Sequence, residues 1–136
     1  MRTIALAIAA LLSLSACSAM KDKDQGEAEV ARFHALYDAG KAAEIYDQAG
    51  AELKSSASRD EFGKMLTATR QRLGNVRKAS QTGWKVNYGS AGNVIVLNYT
   101  TDFALARGEE EFVYRVEAGK PKLAGYHVTS PALRAK

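Results

Sequence analysis

The chain has 136 residues, of which 46% are hydrophobic and 25% charged, with a formal net charge of +4. That length holds one compact domain, and the composition excludes wholesale disorder; the positive surplus is too small to mark a nucleic-acid binder. A single cysteine excludes an internal disulfide and any zinc site built on paired cysteines, so stability must come from packing.

Arg2 followed by the apolar stretch Thr3 to Leu14 reads as the n-region and h-region of a signal peptide, too short to cross a bilayer as a helix. The small residues Ser15 and Ala16 then lead to Cys17. Leu14-Ser15-Ala16-Cys17 resembles the lipobox of bacterial lipoproteins. That resemblance implies cleavage after residue 16, a diacylglycerol on the Cys17 sulfur and an acylated new amine, so that several chains anchor the protein. The alternative is an ordinary signal peptide followed by a free thiol, an oxidation liability in an exported protein. Ser18, rather than Asp, after the cysteine implies outer-membrane sorting by the same resemblance, with the domain facing the periplasm. The polar run Ser18 to Gly26 lacks apolar periodicity and is expected to be a flexible tether. The chain thus divides into a signal peptide (1–16), a lipidated cysteine with its tether (17–26), and one domain (27–136).

Val30, Phe33 and Tyr37 share one helical stripe, which predicts a helix over Glu27 to Asp38. Gly40 interrupts it, and Lys41 to Ala49 carries a second, short stripe through Ile45, Tyr46 and Ala49. A third helix starts at Ser58, whose spacing to Glu61 is that of a capping box. It buries Phe62, Met65, Leu66, Thr69 and Leu73 and ends at Gly74.

Beyond Gly74 the period changes to two, through Trp84 and Val86, then Ile95 to Leu105, then Phe112 to Val116. A four-residue loop at Gly89 to Gly92 would set Val86 opposite Ile95 and Trp84 opposite Leu97. A two-residue loop at Arg107-Gly108 would set Phe103 opposite Phe112, Thr101 opposite Tyr114 and Tyr99 opposite Val116. In the last strand Leu123 has one parity and Tyr126 and Val128 the other, which a bulge at Ala124-Gly125 would reconcile. The expected fold is α+β: three N-terminal helices packed on one face of a four-stranded antiparallel meander.

This order, with Phe33-x-x-x-Tyr37, Ile45-Tyr46, Phe62, Leu73-Gly74 and Leu123-x-Gly125-Tyr126-x-Val128, resembles small bacterial lipoproteins of the nuclear-transport-factor-like and cystatin-like group. The resemblance implies helices seated in the concave side of a curved sheet, an architecture shared by enzymes, binding modules and secretion components.

On that register the inward positions Trp84, Val86, Ile95, Leu97, Tyr99, Thr101, Phe103, Phe112, Tyr114 and Val116 include no carboxylate, while Asp102, Glu111 and Glu117 face out. Glu109-Glu110-Glu111 reads as a soluble hairpin edge. Trp84, Tyr99, Tyr114 and His127 are the candidate lining of a pocket, His127 only if the bulge is absent; the tyrosines otherwise serve the core. His34 and His127 could shuttle protons or share a metal, but two imidazoles without an inward acid make a poor metal shell. Arg70, Arg72, Arg77 and Lys78 form a candidate basic docking patch, or simply suit the helix dipole. No phosphate loop, nucleophile elbow or metal-binding helix motif occurs. No cofactor is expected beyond the covalent lipid on Cys17. The expected function is non-catalytic binding of an envelope protein, as an assembly component or an immunity-type partner of a periplasmic toxin, with no nucleic acid involved. The second reading is a pocket for a small apolar ligand, bound or processed.

Overall fold

The computed structural model describes residues 2–135, with side chains from Cys17 onward. The apolar side chains on which the signal-peptide reading rests therefore lie outside the described residues. The chain runs α1 (Arg2–Asp38), α2 (Ala42–Gln48), α3 (Ala51–Ser56), α4 (Arg59–Leu73), β1 (Val76–Asn87), β2 (Val94–Phe103), β3 (Arg107–Glu117), β4 (Lys120–Thr129) and α5 (Pro131–Arg134). The four strands pair in sequence order, each antiparallel to the next, and α1 to α4 precede them as expected, so the fold is α+β with an open meander. Two short helices go beyond the expected three. α5 has a legible start, since the Ser130 side chain accepts from the Ala132 amide and Pro131 opens the helix. Among the described residues no helix is long and apolar enough to cross a membrane.

The core is a single layer between α1 to α4 and the inner sheet face. Val30, Phe33 and Tyr37 of α1, Ile45 of α2, Leu53 of α3 and Phe62, Leu66 and Leu73 of α4 meet Ile95, Leu97, Tyr99, Phe103, Phe112, Tyr114, Leu123 and Tyr126. α4 begins with the expected capping box, in which the Ser58 hydroxyl and the Glu61 side chain satisfy each other's backbone amides, and it ends on Gly74 at φ 81°. The Tyr37 hydroxyl donates to the Gly74 carbonyl at 3.1 Å, tying the ends of α1 and α4 together.

Two expectations need correction. Ser18 to Gly26 is not a loose tether but part of α1. Two of its polar residues find partners on the sheet side: Asp22 accepts from Asn93 Nδ2 at 3.1 Å, and Lys23 lies 5.6 Å from the Trp84 ring centre. Gly26 permits the close approach, because a Cβ there would stand 2.9 Å from Leu97 Cδ1. A run without apolar periodicity is thus ordered by polar contacts and one small residue.

The β2–β3 register is the second. Arg107 and Gly108 are strand residues, and the turn is Ala104 to Ala106, closed by the Phe103 amide donating to the Ala106 carbonyl at 2.9 Å. Thr101 therefore faces Gly108, Leu97 faces Phe112 and Ile95 faces Tyr114. An Arg107–Asp102 ion pair at 2.7 Å clamps the first rung, and Gly108 leaves room for the Phe103 ring, 3.2 Å from where a Cβ would sit. The displacement is an even number of residues, so the inward faces are unchanged. The β1–β2 register matches expectation, with Val86 opposite Ile95 and Trp84 opposite Leu97, and a bulge at Ala124 puts both Leu123 and Tyr126 inside.

Candidate functional site

Glu110 lies at the centre of the polar chemistry inside this core. It shares the parity of Phe112 and Tyr114, so β3 turns it inward, and its side chain is only 1% exposed. Glu110 Oε1 accepts from Thr101 Oγ1 of β2 at 2.5 Å and from His34 Nε2 of α1 at 2.9 Å. Its Oε2 accepts from the Tyr126 hydroxyl of β4 at 2.6 Å. Three donors from three different elements thus satisfy one carboxylate, which offsets the cost of burying it. Around the cluster the rings are dense: His34 lies edge-on to Phe112 at 5.5 Å, and Phe33 packs on Tyr126 at 4.6 Å.

The inward face therefore does hold a carboxylate, contrary to the expectation that it held none. Within Glu109-Glu110-Glu111 only the middle residue is buried; Glu109 is exposed and accepts from Thr100. Strand alternation was the signal that could have found Glu110, and the surrounding acids masked it. His34, expected beside the apolar stripe, is buried against it.

A second feature is a cleft of about 580 Å³ between α1, α2 and the β3–β4 turn. Phe33, Leu36 and Ile45 supply apolar wall; Arg32, Lys120, Lys122, Glu29 and the amides of Gln25 and Gln48 supply polar groups. Tyr114 belongs to the same lining, and its hydroxyl is buried without a hydrogen-bond partner. Burial first, then the charges of Glu29, Tyr99 and Glu110, hold that hydroxyl's pKa well above the usual tyrosine value.

Of the four candidate pocket residues, Tyr114 alone lines this cleft. Tyr99 is buried in the core, where burial and then the Glu27 charge push its hydroxyl up to about 12. Trp84 stands at the sheet edge, 40% exposed under Lys23, and His127 is exposed because the bulge is present. The basic group also separates. Arg70 donates to Asn75 Oδ1 at 3.1 Å and Arg72 donates to the carbonyls of Leu133 and Ala135, while Arg77 and Lys78 are exposed on β1. Two of the four cations are thus committed to intramolecular bonds. Among the described residues, no group of three or more His, Cys, Asp and Glu side chains is placed to hold a metal ion. Cys17 is exposed on α1.

No curated protein matches the chain. A family model does, the one described as protein of unknown function (DUF4019), over residues 29–126. The match begins one turn before Phe33, ends at Tyr126, and so takes in His34, Thr101, Glu110 and Tyr126 together. Because it spans well over half of the chain, this protein belongs to the DUF4019 family.

Proposed function

We propose that the protein is a lipid-anchored module of the bacterial outer membrane, facing the periplasm, that acts by binding a partner protein rather than by catalysis. The observation that carries the non-catalytic part is the closure of Glu110: its oxygens accept from His34, Thr101 and Tyr126, and its side chain is 1% exposed. A general acid or base must reach the proton it moves, and this carboxylate is occupied and walled off. It serves to lock α1 onto the sheet.

Anchoring is supported by Leu14-Ser15-Ala16-Cys17 and by the exposure of Cys17 on α1. The likeness to nuclear-transport-factor-like and cystatin-like lipoproteins, with helices against one face of a meander, supports the same reading at the level of fold. The surface best suited to a protein partner is the outer edge of β1, which pairs only with β2. Trp84 on that strand is 40% exposed, and Tyr88, the first residue after it, is 55% exposed. An open strand edge beside exposed aromatics suits an added strand from a partner, whether an assembly component or a toxin held in check.

Mass spectrometry of the protein isolated from its native membrane should give an N-terminus at Cys17 carrying acyl mass, and Cys17→Ser should move it to the soluble fraction. A free thiol, or an N-terminus elsewhere, overturns the anchor. A photo-crosslinking residue at Tyr88 should capture one stoichiometric envelope protein that the same residue at Ser55 on α3 does not capture; equal capture, or none, overturns the β1 edge.

A further inference from the structure

We infer that the cleft between α1, α2 and the β3–β4 turn is a binding site for a small organic anion with an apolar body. The site is separate from the β1 edge and does not depend on the anchor. Its volume, about 580 Å³, falls within the range of small-molecule pockets. Two further observations point to what fills it.

The first is Tyr114. Buried hydroxyls are nearly always hydrogen-bonded, and this one is the buried side-chain atom left without a partner among the described residues. Three neighbouring polar groups in the same core, Thr101, Tyr126 and His34, are all satisfied on Glu110, so the deficit belongs to Tyr114, a residue of the cleft lining. A ligand atom that pairs with the Tyr114 oxygen removes that deficit. The oxygen is closed to water, so such an atom enters by parting the side chains of the wall.

The second is charge. Arg32, Lys120 and Lys122 line the cleft, and among the described residues none has a carboxylate within 4.0 Å. Some cations elsewhere are paired, as in Arg115 with Glu52 at 2.8 Å and Lys23 with Glu27 at 2.5 Å, whereas these three stand together around one cleft. Glu29 is the one acid of the lining and leaves two positive charges in excess. Phe33, Leu36 and Ile45 between these groups select an apolar body, and the excess cations select a carboxylate or a similar anion at its end.

The test titrates the full-length mature protein with 6-hydroxy-2-naphthoate, 2-naphthoate and 2-naphthylmethylammonium, following backbone amide shifts by NMR. The hydroxy acid should shift the amides of Arg32, Leu36, Ile45 and Tyr114 with a Kd on the order of 1 mM or below, as its size predicts. 2-Naphthoate should bind about 3- to 10-fold more weakly, and Tyr114→Phe should abolish that difference while keeping the ring. Lys120→Gln with Lys122→Gln, both on the rim, should weaken both acids about tenfold and leave the fold intact. The inference is overturned if no cleft amide moves, if the ammonium compound binds as tightly as the acids, or if Tyr114→Phe preserves the advantage of the hydroxyl.

Discussion

His34 Nε2 in α1 lies 2.9 Å from Glu110 Oε1 in β3, a contact between residues 76 positions apart. Thr101 and Tyr126 complete the set from β2 and β4, so one carboxylate joins the longest helix to three strands. Apolar surfaces can slide past one another; this arrangement fixes both the rotation of α1 and its position along the sheet.

Replacing Glu110 should therefore cost far more than replacing its neighbours. Glu110→Leu leaves three buried donors without an acceptor, for an expected loss of about 3–5 kcal/mol. Glu110→Gln keeps one acceptor but presents an amide to at least one donor, for an expected loss of about 1–3 kcal/mol. Glu109→Gln and Glu111→Gln should stay within about 0.5 kcal/mol of the parent. Urea unfolding midpoints give the ranking, and a Glu110→Leu variant as stable as the parent would remove the locking role.

Tyr126 and Tyr114 offer a matched comparison, since both are buried on the inner face and only one hydroxyl has a partner. Tyr126→Phe breaks a 2.6 Å bond to a carboxylate and should destabilise by about 1.5–3 kcal/mol. Tyr114→Phe removes a hydroxyl that gains nothing in the unliganded protein, so stability should hold or rise by about 1 kcal/mol. Equal losses in the two variants would mean that the Tyr114 hydroxyl is satisfied.

What could be read in the sequence was what depends on short-range pattern. The capping box at Ser58 and Glu61, the glycine-bounded turn whose register sets Trp84 opposite Leu97, and the bulge before Tyr126 each leave a local signature, and each is present, although the β1–β2 loop spans six residues rather than four. The turn at Ala104 to Ala106 lacks a strong one, because its amides are satisfied by ordinary residues, and the glycine of Arg107-Gly108 drew the turn to itself. Glu110 was hidden for a related reason. Composition assigns a run of three acids to solvent, and only the long-range company of His34 and Tyr126 makes burial of the middle one tolerable. The docking of residues 22–26 likewise depends on Asn93 and Trp84, which no reading of the segment alone supplies.

Two glycines separate backbone need from mere absence of a side chain. Gly92 has φ 102°, and a Cβ there would stand 2.7 Å from the Val116 carbonyl oxygen, so Gly92→Ala should cost about 1–3 kcal/mol. Gly63 lies inside α4 with nothing within 4 Å of its would-be Cβ. Gly63→Ala should therefore stabilise by about 0.5–1 kcal/mol through helix propensity. Thermal melts of the two variants should move in opposite directions, and a stabilising Gly92→Ala would contradict the turn geometry.

The buried tyrosines set an alkaline limit on stability. Burial is the leading cause that raises Tyr37, Tyr99, Tyr114 and Tyr126 above the usual value of 10.0; the Glu110 charge adds to it at Tyr37 and Tyr126, and Glu27 at Tyr99. Between pH 10 and 12 the unfolded chain releases these protons while the folded chain keeps them. The native state then binds more protons, so the free energy of unfolding decreases with rising pH. The contribution of each tyrosine is whole below pH 10 and is lost as pH climbs toward its folded value, about 12 for Tyr99 and well above the usual 10.0 for the buried Tyr114 and Tyr126. Tyr114 and Tyr126 should each remove up to about 1.4 kcal/mol per pH unit in that window. Urea midpoints should be level from about pH 8 to 9.5 and fall steeply by pH 11, with tyrosinate absorbance rising together with unfolding rather than before it. Because Tyr126→Phe deletes one of the protons concerned, its midpoints should start lower and fall less steeply; a parent midpoint at pH 11 equal to that at pH 8 would show that these hydroxyls ionise without leaving the core.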